Sequence, residues 1–326
     1  MDIKYLQFLQ KLRESAPNWF NKLIQLITDT AGGFFIVIIP MIIFFCINKK
    51  KGEFVLLSLA VASVLNAFIK NIFCVYRPWM RSELIKPTAK AIKGAGGYSF
   101  PSGHTQGSAS AFGSTAFVFR NKKLISILCV CLVLLVAFSR NYLGVHTPQD
   151  VLVGMLEAAV VIFLTYIIQK KTDTSEKRNL IFYCITVFTI VFATAFMCLK
   201  KYPIDHDIAG NVLIDPSHAI SSFTSKAGLL IGALTAWMLE EKFIAFNTDD
   251  LNMKTKIVRF AIVAIVFLPT AIFAAAVSSL LPIGWLSAFT QNMILYFCVI
   301  FFPPLIFTRI ETRSRSLNQN VNTGNS

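Results

Sequence analysis

Three short clusters hold the residues best suited to chemistry: Lys70 with Arg77-Pro78, then Pro101-Ser102-Gly103-His104, then Ser139-Arg140 with His146 and Asp150. All sit at the ends of apolar segments, where charged groups are expensive and usually functional. A phosphate group would suit each of them. Lys70, Arg77 and Arg140 offer cations, and the arginine fork of N–H donors matches phosphate oxygens in bidentate fashion. Ser102-Gly103 opens a helix, and the unpaired backbone N–H groups of a first turn bind phosphate. Gly103, lacking a side chain, lets the main chain approach closely. His146 and His104 can divide the work of nucleophile and acid, with Asp150, four residues beyond His146, fixing the imidazole tautomer. Plainer readings stand beside these. A lone Lys or Arg at a span end is a snorkelling anchor, and His104 alone is a structural histidine. Thr147-Pro148-Gln149-Asp150 is equally a helix start, with Asp150 at the capping-box position. Convergence on one face, in a chain with only four histidines, favours the chemistry.

The elements that position these clusters are membrane helices. The chain has 326 residues, 55% hydrophobic and only 15% charged, with a mean hydropathy of +0.62; a soluble domain carries about 25% charged residues. The apolar residues fall in runs close to the roughly 20 residues a helix needs to cross about 30 Å of hydrocarbon. These runs predict an all-α, polytopic membrane bundle of about nine transmembrane helices: Gly33–Asn48, Phe54–Phe73, Gly103–Phe119, Leu124–Phe138, Pro148–Gln169, Leu180–Cys198, Ala227–Leu239, Phe260–Leu281 and Trp285–Phe307. The seventh is short, and Ile220–Phe223 either extend it or leave it a half-span. Counting crossings places all three clusters on one face.

Thirty-one Lys and Arg against 17 Asp and Glu give a net charge of +14. The basic residues sit in short loops on alternate sides of successive spans, as the positive-inside rule requires, so the balance implies the lipid bilayer and no nucleic acid as partner. Lys49–Lys51, Arg120–Lys123, Lys170–Arg178, Lys242–Arg259 and the Arg309–Arg315 tail share the cytoplasmic side. The N-terminus and the three clusters then face outward, which predicts a cell-membrane protein with an extracytoplasmic active site. The seven cysteines include no CxxC pair and read as buried small hydrophobes, with Cys74 the one at an accessible position. Residues 1–28 lack the basic-then-apolar pattern of a cleaved signal. Residues 1–32 form an amphipathic segment, with Pro17 dividing helical repeats at Ile3, Leu6, Leu9 and Leu12 and at Phe20, Leu23, Ile24 and Ile27. It lies in the membrane interface or packs on an outer loop. Residues 33–170 hold the three clusters, 171–309 form a further set of spans, and 310–326 read as a polar, disordered tail.

Lys70-x6-Arg77-Pro78, Pro101-Ser102-Gly103-His104 and Ser139-Arg140-x5-His146-x3-Asp150 together resemble the three-part signature of the type 2 phosphatidic acid phosphatase (PAP2) superfamily, in the right order and spacing. The superfamily includes lipid phosphatases, glucose-6-phosphatases and haloperoxidases, and the resemblance covers residues 33–168. It implies that His146 is the nucleophile forming a phosphohistidine, that Asp150 orients it and that His104 protonates the leaving oxygen. It further implies a phosphate cradle of Lys70, Arg77, Ser102, Gly103 and Arg140, and no metal or other cofactor.

The function expected from residues and resemblance together is hydrolysis of a membrane lipid phosphate or pyrophosphate. Hydrolysis of a soluble sugar phosphate is the alternative within the superfamily, and a non-catalytic lipid-binding or transport relative is the alternative outside catalysis. Glu157 reads as a partner for an inter-span polar group rather than a cleft residue. Asp205, His206, Asp207 and His218 read as a solvated outer loop rather than a metal site. The small residues from Gly103 to Ser114 read as a packing surface.

Overall fold

In a computed structural model of the chain, residues 2–172, 176–207 and 210–323 are described, and among them the architecture is all-helical with no strand. The helices are α1 (Asp2–Ser15), α2 (Asn18–Asp29), α3 (Phe35–Ile42), α4 (Lys49–Phe73), α5 (Pro78–Arg81), α6 (Ala89–Lys93), α7 (Gly103–Val118), α8 (Lys123–Tyr142), α9 (Pro148–Thr172), α10 (Glu176–Leu199), α11 (Pro216–Phe243), α12 (Met253–Ser279) and α13 (Gly284–Thr323). π-Helical turns at Thr30–Phe34 and Ile43–Ile47 flank α3. Large apolar side chains such as Leu128, Phe163, Phe188, Phe192 and Leu268 point outward. Outside a bilayer they would face water, so the chain is an integral membrane protein.

Each of the nine expected spans has a helix, but not all have a spanning length. Seven helices are long and apolar enough to cross: α4 (running on through α5), α8, α9, α10, α11, α12 and α13. An eighth is reached if Asn18–Gly33 and Phe35–Ile47, bent by 45° at their junction, count as one broken span. The remaining element, α7, has 16 residues and rises about 24 Å, short of about 30 Å of hydrocarbon. It compensates by being buried along almost its whole length, enclosed by α3, α4, α8 and α9. Its small residues permit this: a Cβ on Gly107 would lie 3.1 Å from Ile36 and one on Gly113 3.3 Å from Ile162.

The short seventh span is extended through Ile220–Phe223, one of its two readings, into the 28-residue α11, capped at Pro216 by Asp215. One sequence expectation is corrected. Residues 310–323 of the expected disordered tail are helical, since α13 continues to Thr323, the last described residue, and residues 324–326 lie outside the described ones. Extending an existing helix is far cheaper than nucleating one, and Glu311 anchors the first turn of the extension by pairing with Arg259 at 2.8 Å.

The N-terminal segment packs on the loops at the end of the bundle that holds the three clusters. Leu6, Leu9 and Arg13 of α1 are buried, while Tyr5, Phe8 and Leu12 face out. Arg13 donates to the carbonyls of Tyr142, at 2.9 Å, and Lys86. It thereby braces the corner after α8, where Gly144 adopts φ +75°, a conformation only glycine takes without cost.

Candidate active site

The three clusters meet at one end of the bundle, where the C-terminal ends of α4 and α8 meet the N-terminal ends of α7 and α9. His146 lies in the turn between α8 and α9 and is 1% exposed. Its Nε2 is 2.7 Å from Nη1 of Arg77. An arginine can only donate, so Nε2 carries the lone pair and Nδ1 the proton. Nδ1 faces Asp150 Oδ2 at 3.3 Å and Ser99 Oγ at 3.4 Å. Burial, then the charge of Arg77, holds the pKa of His146 well below its ordinary value, so the ring is neutral with an unprotonated nitrogen. That is the form a histidine nucleophile needs.

Asp150 fills both roles that the sequence left open. Its Oδ2 accepts the Thr147 backbone N–H at 2.9 Å while the Thr147 hydroxyl accepts the Asp150 N–H at 3.3 Å, a reciprocal cap on α9. The same oxygen faces His146. The carbonyl of Asp150 also accepts the Ser102 N–H at 2.8 Å, which joins the third cluster to the second. This contact needs α9 close to α7, and Gly154 provides the room: a Cβ there would lie 2.9 Å from the Ser102 carbonyl oxygen.

The cations behave differently from one another. Lys70 points all three ammonium donors at the carbonyls of Tyr98, Ser99 and Pro101. Arg77 holds the same loop through Gly96 and Gly97, each at 3.0 Å, and reaches Val145 as well as His146. These two therefore spend their donors on fixing the loop before α7. Arg140 does not. It is 2% exposed, and Nη1 donates to Thr28 of α2 at 2.9 Å, while Nε and Nη2 have no partner among the described residues. A buried charged donor left unpaired costs more than the roughly 1–3 kcal/mol of a neutral one, and a bound anion would remove that cost. Ser102 caps α7 by accepting the Thr105 N–H, which leaves the N–H groups of Gly103 and His104 in the first turn without intrahelical partners. His104 follows in that turn, packed near Gly32 and within electrostatic range of Arg140, Arg77 and Lys70.

Three residues that sequence reasoning passed over belong to this site. Ser99 donates its hydroxyl to Asp150 Oδ2 at 2.6 Å, its N–H to Val75 at 2.7 Å, and offers its carbonyl to Lys70. One serine thus ties the first cluster to the third. Thr28 positions Arg140, and Asn141 donates to the carbonyl of His146 at 2.9 Å. None has a distinctive spacing in the sequence; only proximity to Pro101 and Arg140 marks Ser99 and Asn141, and nothing marks Thr28. Glu157 accepts from Asn66 at 3.0 Å, the inter-span pairing expected of it. Asp205, His206, Asp207 and His218 do not gather: among the described residues no three His, Cys, Asp or Glu side chains could share a metal ion.

The PAP2 superfamily profile matches residues 54–174, and that of the PAP2 superfamily phosphatase transmembrane extension matches residues 224–315. Phosphatidylglycerophosphatase B of Bacillus subtilis is 30% identical over 172 residues, covering 49% of this chain and 78% of that protein. Undecaprenyl-diphosphatase of Sulfolobus acidocaldarius is 29% identical over 130 residues, 40% of this chain and 61% of its own length. Glucose-6-phosphatase catalytic subunit 1 of Bos taurus is 28% identical over 224 residues, 61% of each chain. With the three clusters joined at one end of the bundle and similarity over both residues 54–174 and the extension, this chain belongs to the PAP2 superfamily.

Proposed function

We propose that this protein hydrolyses the phosphate ester or anhydride of a membrane lipid through a phosphohistidine on His146. The observation that carries the reading is the neutral, Nδ1-protonated His146, with Nε2 presented beside Arg77 and the unpartnered donors of Arg140 nearby to take an anion. Nε2 attacks phosphorus, the leaving oxygen takes a proton from His104, and water then cleaves the phosphoramidate with His104 as base. Arg140 and the first-turn N–H groups of α7 bind the phosphoryl oxygens; Lys70 and Arg77 add charge while holding the loop. Three cations offset the dianion, so the reaction proceeds without a metal ion. The PAP2-like unit is residues 33–170, with 171–309 as an extension and 1–32 braced against the outer loops. In this reading α7 is a buried ninth crossing, and the short basic loops at the opposite end favour a site on the extracytoplasmic face of the cell membrane. The names of the relatives from Bacillus and Sulfolobus support a lipid substrate.

The test is phosphate release from a panel of lipid phosphates, lipid pyrophosphates and sugar phosphates by purified protein, with and without EDTA. Rapid acid-free quenching should trap an acid-labile phosphoenzyme in wild type and none in His146→Ala. A phosphoenzyme in His146→Ala, or activity lost in EDTA and restored by Mg²⁺, contradicts the mechanism. The match to glucose-6-phosphatase over 61% of the chain favours a soluble sugar phosphate as the second reading, and release from sugar phosphates alone would select it.

A further inference from the structure

His146 is oriented by its bonds to Arg77 and Asp150. His104 has no such help: among the described residues no hydrogen bond or ion pair holds its ring. Packing holds it instead. Gly32 is buried in the π-helical turn Thr30–Phe34 and faces the imidazole, so that a Cβ there would lie 3.2 Å from His104 Cδ2 and 3.6 Å from His104 Cβ. We propose that Gly32 is a positioning residue for His104, and that the turn carrying it aims the acid at the leaving oxygen. This rests on reading His104 as that acid and adds what orients it.

Three observations carry the assignment. First, the turn is fixed on both sides, so it can act as a stop. Before it, Thr28 accepts from Arg140 at 2.9 Å and Asp29 pairs with Lys90 at 2.6 Å; within it, Ala31 is buried in one cluster with Phe112 and Val136. After it, Ile36 meets α7 about one turn beyond His104, where a Cβ on Gly107 would lie 3.1 Å from Ile36 Cδ1. Second, the space at Gly32 can yield on one side only. The same Cβ would lie 3.2 Å from Val136 Cγ1. Val136 is wholly buried in close-packed surroundings, whereas His104 is half-buried and unbonded, so an added methyl displaces the imidazole. Third, a Cβ on Gly33, the next residue of the turn, would meet nothing within 4 Å. The constraint therefore comes from the contact with His104 and not from the backbone of the turn. Such π turns are rare and occur mostly at functional sites.

Gly32→Ala tests this, with Gly33→Ala as the control for adding a methyl to the turn. The parameter is kcat/KM, which runs only to departure of the leaving group. It is compared between nitrophenyl phosphate and whichever of phosphatidate and glucose 6-phosphate the protein cleaves. The latter two leave as alkoxides and need the acid; nitrophenolate leaves without it. A small displacement of the ring should cost Gly32→Ala about tenfold on the alkoxide substrate and leave nitrophenyl phosphate nearly unaffected, while Gly33→Ala matches wild type on both. Val136→Ala, which removes the opposing Cγ1, should restore the ratio of the two rates when combined with Gly32→Ala. Equal loss on both substrates, an unaffected alkoxide rate, or no rescue overturns the positioning role. Equal loss on both in His104→Ala instead overturns the acid reading itself. A measurement independent of turnover is carbethoxylation by diethyl pyrocarbonate, read residue by residue by mass spectrometry. Gly32→Ala should change the rate at His104 several-fold and leave the exposed His206 and His218 as in wild type; an unchanged rate at His104 refutes the contact.

Discussion

At the residue scale, the site consists of one histidine whose proton is assigned by its neighbours. Arg77 fixes Nε2 as the lone-pair nitrogen, and Asp150 and Ser99 share the proton on Nδ1. Because burial lowers the pKa of His146, protonation that would silence it as the proposed nucleophile occurs only in more acidic solution. The acid limb of kcat/KM, which reports the free enzyme, should then fall below about 6.5, the ordinary imidazole value. Ser99→Ala removes the 2.6 Å donor to Asp150 and leaves the carboxylate freer to bond Nδ1. That change should raise the basicity of the ring, move the acid limb upward and lower kcat about tenfold, the equivalent of one hydrogen bond of about 1.4 kcal/mol. A fall in kcat with an unmoved pH profile would make Ser99 merely structural. Arg140→Lys should be severely impaired because an ammonium cannot reproduce two forked donors. Thr28→Val, which removes only the hydroxyl that holds Arg140, should raise KM several-fold with kcat little changed, as expected for about 1 kcal/mol.

At the element scale, the site depends on how closely α9 approaches α7. The bond from Ser102 N–H to the Asp150 carbonyl crosses that contact, and Gly154 faces backbone there rather than a flexible side chain. Gly154→Val should therefore push the helices apart, costing about 1–3 kcal/mol as overpacking. It should abolish turnover while the protein still enters the membrane. The measurement is activity against the melting temperature in detergent, with a larger loss in activity than in stability expected. An unaffected rate would show that the α7–α9 spacing is not critical. The extension packs within itself by the same device: Cβ atoms on Gly228 and Gly232 of α11 would collide with the α13 backbone at Phe289 and Met293. Small residues let membrane helices approach where the hydrophobic effect gives no preference for protein over lipid.

At the scale of the whole molecule, charge is distributed unequally between the two ends. Opposite the site, Lys49 pairs with Glu240 at 2.6 Å, and Arg259 is locked in a two-pronged pair with Glu311 while also holding the carbonyls of Phe45 and Asn247. These bonds tie the extension to the catalytic half at the end where the short basic loops lie. On the proposed orientation, which follows the positive-inside rule, that end is cytoplasmic and the site faces out. Single cysteines near Lys90 and near Lys171, in a cysteine-free background, should report this in intact cells. A membrane-impermeant maleimide should label the first and spare the second. The reverse pattern would turn the site to the cytoplasm.

The sequence by itself determined the helical class, the membrane setting and the identity of the eight clustered residues. Each of these is written in local patterns: run length against bilayer thickness, and charged residues at span ends. Each expected span also coincides with a helix, because an apolar run must be helical to satisfy its backbone in lipid, although only seven are long and apolar enough to cross by themselves. What it left open was whatever depends on a neighbour distant in the chain. No local pattern distinguishes the donors of Lys70, spent on the loop at 98–101, from those of Arg140, two of which lack partners. The positions of Ser99 and Thr28 depend likewise on contacts 51 and 112 residues away. The helical continuation of α13 past residue 310 was missed for the same reason, since polar composition argues for disorder only until a helix already formed extends into it and Arg259 anchors its first turn.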